Sequence, residues 1–366
     1  MEKKIKILHV CSISTNRASG TRVVVPKHFL HQSRHTETAI LNCSGNIIDE
    51  LKNEKNVYYD KNCDIQKVIE SFGKPDIIVF HEVYKPVYCS AVKELNIPYI
   101  IIPHGCLTKG AQNNKPLKKI IGNMLMFNKF IKNAKAVQFL STQEQDETKI
   151  KVQGSFIMGN GMEINSSSKD KKERKNSKYT IVYIGRLNVY HKGLDFLLNA
   201  CSKIVNKMKQ NNIVVKLYGP ASDEDEKIIN KMLSDLNLSD VVEIFPPIFD
   251  AEKKAVLESA DIFIQTSRFE GQPLGVMEAM ANSLPIIVTP GTSFDGVVND
   301  VKCGYVAQLD SESIADAIIK SFENREKNID YGNNAYVYAC ENFEWSKVAK
   351  KTIDVYRKIA TGEIYE

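Results

Sequence analysis

The sequence predicts an α/β protein made of two doubly wound, Rossmann-like domains. At 366 residues the chain is long enough for two separate cores. Short apolar runs alternate with helical segments throughout, a pattern typical of parallel sheets covered on both faces. A polar, highly charged stretch, 166–176, separates the two halves. We expect a first domain over 1–163, a linker over 164–178, a second domain over 179–345 and a returning C-terminal helix over 346–366.

Apolar runs predict the strands of the first half, and a polar loop ending in Ser19-Gly20 precedes a predicted helix over 23–31. Gly20 is the only glycine in that loop, whereas a dinucleotide-binding turn needs G-x-G-x-x-G, so an NAD-binding domain is disfavoured. The predicted strands cover 4–10, 38–42, 77–80, 99–102 and 136–140.

Histidines occur in two contexts. His28, His31 and His35 are spaced so that they can share a helix face; they are either a metal site or, as we favour, a polar helix surface. His104 lies in Pro103-His104-Gly105, directly after the predicted strand 99–102. Ligands gather at the carboxyl ends of strands in open α/β sheets, so His104 is a candidate site residue.

The second half repeats the alternation. Its last helix is predicted to begin near Ser346 and to reach about residue 358, with Trp345 at its entry. The predicted strands are 179–184, 213–218, 241–245, 262–264, 286–289 and 305–308, and the predicted helices are 194–204, 223–236, 250–259, 276–281 and 311–323.

Charge and composition restrict the function. The net charge is +5, and residues 1–163 hold 23 Lys and Arg against 15 Asp and Glu, which predicts an anionic partner for the first domain. No Cys-x-x-Cys pair indicates a zinc site or disulfide framework. No apolar run has the length of a signal peptide or membrane helix, so we expect a cytoplasmic protein.

A basic segment in the first half allows two interpretations. Residues 106–143 contain no acid, and lysines flank an apolar centre at 120–127. The segment is either a helix on an anionic membrane or a partly buried helix with a solvated lysine rim. Three of these lysines are candidates for the membrane or acceptor side: Lys115, Lys118 and Lys119.

Two joints in the second half suit a ligand that is part anion and part polyol. Glu270 and Glu278 flank Pro273, which can start a helix, and the N-terminus of a helix attracts anions. Carboxylates accept hydrogen bonds from sugar hydroxyls. Earlier, Arg186 and Lys192 lie in a Gly-rich joint, where a guanidinium can grip a diphosphate bidentately.

Taken together, these motifs resemble the retaining family 4 glycosyltransferases of GT-B fold. The resemblance rests on five stretches in this order: Pro103-His104-Gly105, Asn160-Gly161, Gly185-Arg186 with Lys192-Gly193-Leu194-Asp195, Glu270 to Glu278, and Phe343-Glu344-Trp345. It implies two Rossmann-like domains facing each other across a cleft, with a C-terminal helix crossing back to the first domain.

The resemblance also implies residue roles. Glu278 would hold the donor ribose, and Arg186 and Lys192 would neutralise the diphosphate. His104 would contact the transferred sugar from the opposite domain, and Gly20 would contact the donor. The transferred sugar would be held by Glu270, Gly271, Gln272, Pro273 and Leu274. The implied catalytic group is His104, Arg186, Lys192 and Glu270.

The predicted activity is a retaining, metal-independent transfer of a hexose or N-acetylhexosamine without a cofactor. The donor would be a UDP-sugar rather than a GDP-sugar, and the acceptor a glycan or lipid-linked molecule used in cell-surface polysaccharide or glycoconjugate synthesis. We expect no nucleic-acid partner and a cytoplasmic location, either free or at the inner face of the membrane. The alternatives are a GT-B-like nucleotide-sugar epimerase and a non-catalytic nucleotide- or sugar-binding protein.

Overall fold

The computed structural model describes residues 4–93, 95–112, 121–164 and 178–363. The chain divides into two compact units. The first unit contains Met1–Gly161 and Trp345–Glu366, and the second contains Met162–Glu344. Of the predicted linker, residues 165–177 lie outside the described residues. No helix in the described part of the chain is long and apolar enough to cross a membrane.

The first unit is built on a seven-stranded parallel sheet of order β3-β2-β1-β4-β5-β6-β7. The order reverses between β1 and β4, so their carboxyl ends form a crevice where ligands bind in such folds. Residues 57–59 and 155–157 form edge strands that periodicity did not predict, because these three-residue strands carry no buried apolar run. The strands are β1 Lys6–Cys11, β2 Glu37–Asn42, β3 Val57–Tyr59, β4 Ile77–His81, β5 Tyr99–Ile102, β6 Ala136–Phe139 and β7 Ser155–Ile157.

Helices cover both faces of this sheet, and the apolar side chains on each face form a separate cluster. Among the described residues the helices are α1 Gly20–Ser33, α2 Ile65–Phe72, α3 Pro86–Ala91, α4 Lys109–Gln112, α5 Asn128–Asn133 and α6 Thr142–Glu147, with a π-helical turn over Asn123–Phe127 and a 3-10 turn over Asp49–Leu51.

The second unit repeats the pattern with a six-stranded parallel sheet of order β10-β9-β8-β11-β12-β13. Here the order reverses between β8 and β11, and apolar clusters again cover both faces. The strands are β8 Tyr179–Ile184, β9 Ile213–Tyr218, β10 Val242–Phe245, β11 Ile262–Gln265, β12 Ile286–Val288 and β13 Gly304–Val306.

The predicted helices of the second unit are all present, but three more were not predicted: α8 over Val205–Gln210, α12 over Asp295–Val301 and α14 over Arg325–Asn342. The longest of these is α14. Its buried side includes Asn328 and Gly332, so it shows no apolar stripe. Gly332 is required there because a Cβ would lie 2.3 Å from the Ser283 carbonyl oxygen. The helices are α7 Leu194–Lys203, α8 Val205–Gln210, α9 Asp223–Asp235, α10 Asp250–Ser259, α11 Leu274–Ala281, α12 Asp295–Val301, α13 Ser311–Glu323 and α14 Arg325–Asn342, with a 3-10 turn at Pro290–Thr292.

The final helix, α15 Trp345–Thr361, belongs to the first unit, as the resemblance implied. Trp345 is buried, and a Cβ on Gly161 would lie 2.3 Å from its ring. Tyr356 donates a hydrogen bond to Gln138 of β6 at 2.7 Å. The helix begins at Trp345, one residue before the predicted start near Ser346.

Candidate functional site in the second unit and a histidine cluster in the first

In the second unit, two glycines bring the loops after β8 and β11 into close contact. Gly193 precedes α7 with a φ of 62°, and a Cβ there would lie 2.0 Å from the Thr266 carbonyl oxygen. Gly275 lies in the first turn of α11, and its Cβ would lie 2.9 Å from the Ile184 carbonyl oxygen. Neither approach leaves room for a side chain, so glycine at these two positions allows the two loops to meet.

Glu270 is the centre of this contact. Its Oε1 accepts hydrogen bonds from Lys192 Nζ at 2.5 Å, Ser267 Oγ at 2.7 Å and Gln265 Nε2 at 2.9 Å. Its Oε2 lies 3.8 Å from His191 Nε2. Two of the candidates from the sequence, Lys192 and Glu270, are therefore brought together although 78 residues separate them.

Electrostatics keep the Glu270 carboxylate charged. Burial pushes its pKa upward, but the charge of Lys192 and the hydrogen bonds from Lys192 and Ser267 hold the pKa below its usual value. The imidazole of His191 has its pKa lowered to about 4 by burial and by the charge of Lys192. Its Nε2 lies 2.8 Å from the Phe269 carbonyl oxygen, and its ring stacks on that of Phe269. His191 is therefore a neutral donor to the loop at neutral pH.

Arg268 is a residue of this site to which the sequence analysis gave no role. Its guanidinium donates to both oxygens of Asp195, at 2.8 and 2.6 Å. It also lies 4.5 Å from the ring centroids of both Tyr190 and Phe196. Arg268 thus ties the loop after β11 to the start of α7. The sequence shows an arginine two residues before Glu270, but only the tertiary structure shows that its partner is Asp195.

Arg186 has different surroundings from Lys192. Its side chain is exposed, and its guanidinium makes no hydrogen bond or ion pair with the residues that the structure describes. Its carbonyl oxygen accepts a hydrogen bond from Tyr183 at 2.8 Å, which holds the turn after β8. The next turn is tight as well, because a Cβ on Gly219 would lie 1.8 Å from the Gly185 carbonyl oxygen. An arginine held at its backbone and unpaired at its guanidinium can receive an anion.

Glu278 lies on α11 and also has a cationic partner. Its Oε1 is 2.5 Å from Lys253 Nζ of α10, and both side chains are mostly buried. Pro273 precedes this helix without a side-chain cap, which leaves the N–H groups of the first turn without a capping side chain. Of the residues predicted to surround the sugar, Gly271, Gln272 and Leu274 are partly exposed, whereas Pro273 is buried.

A cavity opens beside the Arg186 turn. It is lined in part by Leu187, Gly219, Phe245 and Pro246, which follow or end β8, β9 and β10. The rings of Phe245 and Tyr218 stack with centroids 4.7 Å apart. An apolar, partly aromatic wall at the carboxyl ends of strands suits a flat heterocycle.

In the first unit, His104 follows β5 in the left-handed conformation, with a φ of 53°. The turn is fixed by Glu144, whose oxygens accept from the N–H groups of Gly105 at 2.5 Å and Leu140 at 2.8 Å. Burial raises the pKa of the Glu144 carboxyl to about 7. His104 Nε2 lies 3.0 Å from His81 Nδ1, so this candidate joins a wider histidine cluster.

Interpreting the α1 histidines as a polar helix surface was wrong for two of them. His28 and His31 are buried, and both pack against Trp345 of α15. The cause is the returning helix, which covers this face of α1 and is remote in sequence. His35 lies beyond the end of α1. Gly20 is the first residue of α1 and is exposed.

The apolar centre of the basic segment is exposed where it is described. Ile121, Met124 and Leu125 are 54%, 74% and 75% exposed, whereas Phe127 packs inward. The predicted membrane-side residues Lys115, Lys118 and Lys119 lie outside the described residues.

Comparisons with known proteins agree with this architecture. Residues 165–338 match the family model of glycosyl transferases group 1. The chain is 29% identical over 181 residues to an MMP alpha-(1->4)-mannosyltransferase from Mycolicibacterium hassiacum, covering 49% of this chain and 43% of that protein. It is 26% identical over 189 residues to a phosphatidyl-myo-inositol mannosyltransferase from Mycobacterium leprae, covering 50% and 47%. The chain thus matches about half the length of these curated relatives.

The likeness in fold extends over nearly the whole chain. The structure of Anabaena HepE in complex with UDP and glucose has a TM-score of 0.73 at 15% identity and covers 97% of this chain and 100% of that chain. The fold and site therefore define the class: a GT-B α/β protein. The match of residues 165–338 to this family model agrees with the predicted resemblance to family 4 glycosyltransferases.

Proposed function

We propose that the chain is a retaining glycosyltransferase that moves a hexose or N-acetylhexosamine from a nucleotide-diphosphate sugar to a glycan or lipid-linked acceptor. The observation that carries this proposal is the joint of the second unit. There a charged Glu270 accepts a hydrogen bond from Lys192. The same unit has Arg186, whose guanidinium is unpaired among the described residues, and the start of α11, which has no side-chain cap. That combination offers cations and N–H groups to a diphosphate, and carboxylate oxygens to hydroxyls.

Each part of the donor has a proposed site in the second unit. The diphosphate takes Arg186 and the first turn of α11, where a fixed cation stabilises the negative charge that grows on the leaving group. The base enters the cavity beside Phe245, whose lining includes the apolar side chains of Leu187 and Pro246 and the Phe245 ring. Glu278 accepts the ribose hydroxyls, with Lys253 holding its carboxylate in place.

Lys192 has a more specific role in this proposal than charge neutralisation alone. Its ammonium is hydrogen-bonded to Glu270, so it orients the carboxylate that receives the sugar hydroxyls. It retains two further N–H donors, which can reach a phosphate oxygen. The pair would therefore contact both sides of the bond that breaks, which fits catalysis by positioning and electrostatics rather than by an enzyme nucleophile.

We favour UDP as the nucleotide. The Anabaena protein of similar fold was solved with UDP and glucose, whereas the two curated relatives are named mannosyltransferases. A panel of UDP- and GDP-sugars in a thermal-unfolding screen tests the choice, since a ligand at 100 times its Kd raises stability by about 2.7 kcal/mol. Turnover is then measured as release of the free nucleoside diphosphate with acceptor present, with and without EDTA.

The outcomes separate the classes of protein. Transfer that persists in EDTA, with the anomeric configuration kept in the product, is the expected result. Loss of turnover in EDTA that magnesium or manganese restores would refute a metal-independent reaction. Interconversion of nucleotide sugars without an acceptor would establish an epimerase, and binding without any reaction would establish a binding protein.

We further propose that the acceptor is lipid-linked and that the chain meets it at an anionic membrane. The exposed Ile121, Met124 and Leu125 lie in an acid-free segment, and each basic side chain near an anionic surface contributes about 1 kcal/mol. One curated relative is named for a phosphatidyl-myo-inositol acceptor.

Vesicle sedimentation at low and moderate salt tests the membrane proposal. Binding to anionic vesicles should weaken in a Lys115/Lys118/Lys119→Glu triple variant and in Met124→Ser/Leu125→Ser. Lys227→Glu, on exposed α9, is the matched control. Equal binding of neutral and anionic vesicles, or no effect of either variant, would favour a soluble acceptor.

A further inference from the structure

A line of hydrogen-bonded side chains crosses the interior of the first unit and ends at His104. Gln32 Oε1 lies 3.0 Å from His9 Nε2, His9 Nδ1 lies 2.9 Å from His81 Nε2, and His81 Nδ1 lies 3.0 Å from His104 Nε2. Neighbouring rings in the line stack, with centroids 5.2 and 5.3 Å apart. Four side chains remote in sequence thus form one continuous network.

The fold places this line at the crevice of the sheet. His9 lies on β1 and His81 ends β4, while His104 follows β5, and these three strands are neighbours in the sheet. Gln32, on α1, closes the inner end. Gln32, His9 and His81 are at most 1% exposed, whereas His104 is partly exposed. The line therefore connects a buried amide to a partly exposed imidazole.

The geometry couples the proton positions on the three rings. A neutral imidazole has one N–H donor and one bare nitrogen acceptor. An amide oxygen can only accept, so His9 Nε2 carries the proton and His9 Nδ1 is bare. This bare nitrogen accepts a hydrogen bond from His81 Nε2–H, which leaves His81 Nδ1 bare. His81 Nδ1 in turn accepts a hydrogen bond from His104 Nε2–H. His104 is left with a bare Nδ1, which is a hydrogen-bond acceptor.

All three rings are held neutral, as this coupling needs. Burial lowers the pKa of His9 and of His104 to about 3, and it holds the pKa of His81 well below its usual range. The charge of His28 nearby would disfavour protonation further. An added proton would leave two donors facing each other in the line.

The orientation of the Gln32 amide sets the direction of the whole line. Rotating that amide by half a turn would present an N–H to His9 and reverse every hydrogen bond, giving His104 an Nδ1–H donor. Gln32 Nε2 completes no hydrogen bond among the described residues. However, the hydroxyl of the neighbouring Tyr356 donates its proton to Gln138. The Tyr356 oxygen can therefore only accept from Gln32, which favours the Gln32 N–H groups on the side of Tyr356. This neighbour favours Gln32 Oε1 facing His9.

We infer that Gln32, His9 and His81 are positioning residues that hold His104 as the Nε2–H tautomer, so that its Nδ1 accepts a hydrogen bond from a hydroxyl of a sugar ligand. The identity of that ligand rests on the proposed function, whereas the tautomer does not. Three buried residues that touch no substrate would thereby decide whether the site residue accepts or donates.

Tautomer-resolved NMR of the whole protein carrying isotope-labelled histidine tests this inference. The His104 signals are identified by their loss in His104→Gln. We expect the Nε2–H pattern for His104 in the wild type. In Gln32→Met and His81→Phe, we expect His104 to populate both tautomers, the Nε2–H and the Nδ1–H form. His31→Phe is the matched control, because His31 is buried against Trp345 outside the line.

Turnover provides the second measurement. With the donor found in the screen, Gln32→Met and His81→Phe should lower kcat about tenfold with little change in KM, while His31→Phe stays near the wild type. An Nδ1–H tautomer in the wild type, or an unchanged tautomer in both line-breaking variants, would overturn the inference. If those variants do not fold, the wild-type tautomer decides. Absence of any sugar transfer would refute the proposed function and leave the tautomer result standing.

Discussion

Lys192 Nζ lies 2.5 Å from Glu270 Oε1, and the two side chains are only 11% and 9% exposed. Two residues that the sequence assigned to different parts of the donor are thus one ion pair. A buried pair costs desolvation when it forms, but the loss of one partner strands the other charge. We therefore expect the ion pair to stabilise the loop after β11 and also to take part in the proposed reaction.

The first prediction concerns this pair. Glu270→Gln and Lys192→Met should each lower the free energy of unfolding by about 3 kcal/mol, because each leaves a buried charge without its partner. The double variant should cost less than the sum of the two, as expected for residues in contact. Denaturant unfolding measures all three, and Lys203→Met, from the exposed pair with Glu312, is the control.

Glu270→Gln should also slow transfer more than it weakens donor binding, since an amide presents one accepting oxygen in place of two. Additive single and double effects on stability, together with wild-type turnover of Glu270→Gln, would contradict the central role of the pair.

The second prediction is that Glu278→Gln weakens donor binding by at least tenfold. A hydrogen bond to a charged carboxylate is worth about 1.5–3 kcal/mol, and a tenfold change in Kd corresponds to about 1.4 kcal/mol. Calorimetric titration with the nucleoside diphosphate measures the change. Glu258→Gln on α10, from an exposed pair with Lys254, is the control and should bind as the wild type does. Equal Kd values for Glu278→Gln and the wild type would remove the ribose contact from the site.

The third prediction separates catalysis from stability at Arg186. Because this side chain is exposed, Arg186→Ala should change the free energy of unfolding by no more than about 0.5 kcal/mol. It should lower kcat about a hundredfold, because the charge it stabilises grows in the transition state. Arg186→Lys should also be impaired, since an ammonium cannot replace the bidentate guanidinium. Lys227→Ala is a surface control on α9. A fully active Arg186→Ala enzyme would contradict the proposed diphosphate contact.

The fourth prediction concerns acid stability. Burial lowers the pKa of His9, His28 and His104 to about 3 to 4. In the unfolded chain these residues take up protons below about pH 6.5, whereas in the folded chain they stay neutral until the pH falls much further. The contribution of these neutral histidines to the free energy of unfolding is therefore fully present above pH 6.5. It is lost as the pH falls from there through the folded pKa values. His9→Phe should reduce the slope of unfolding free energy against pH near pH 5 by about 1.4 kcal/mol per pH unit.

Urea unfolding at several pH values between 4.5 and 6 measures that slope. An identical slope in the wild type and in His9→Phe would show that His9 does not change its protonation on unfolding.

Most of the strands were predictable because their signal is local. Runs such as Tyr99–Ile102 and Ile213–Tyr218 are buried on both faces of a parallel sheet, so nearly every residue is apolar. The failures have a common cause. The α14 helix packs through Gly332 and Asn328, and β7 is a half-exposed edge strand, so neither carries a continuous apolar pattern.

For the candidate site, the sequence by itself determined which residues stand at the carboxyl ends of strands: His104 after β5, Arg186 after β8 and Glu270 after β11. That follows from the alternation of strands and helices and from glycines such as Gly193, whose positions depend on local backbone geometry. Only the tertiary structure decided the partners, among them Arg268 with Asp195 and His81 with His104. Hydrogen bonds and ion pairs act over a few ångströms between residues that tens of positions separate, and no periodicity in the chain records them.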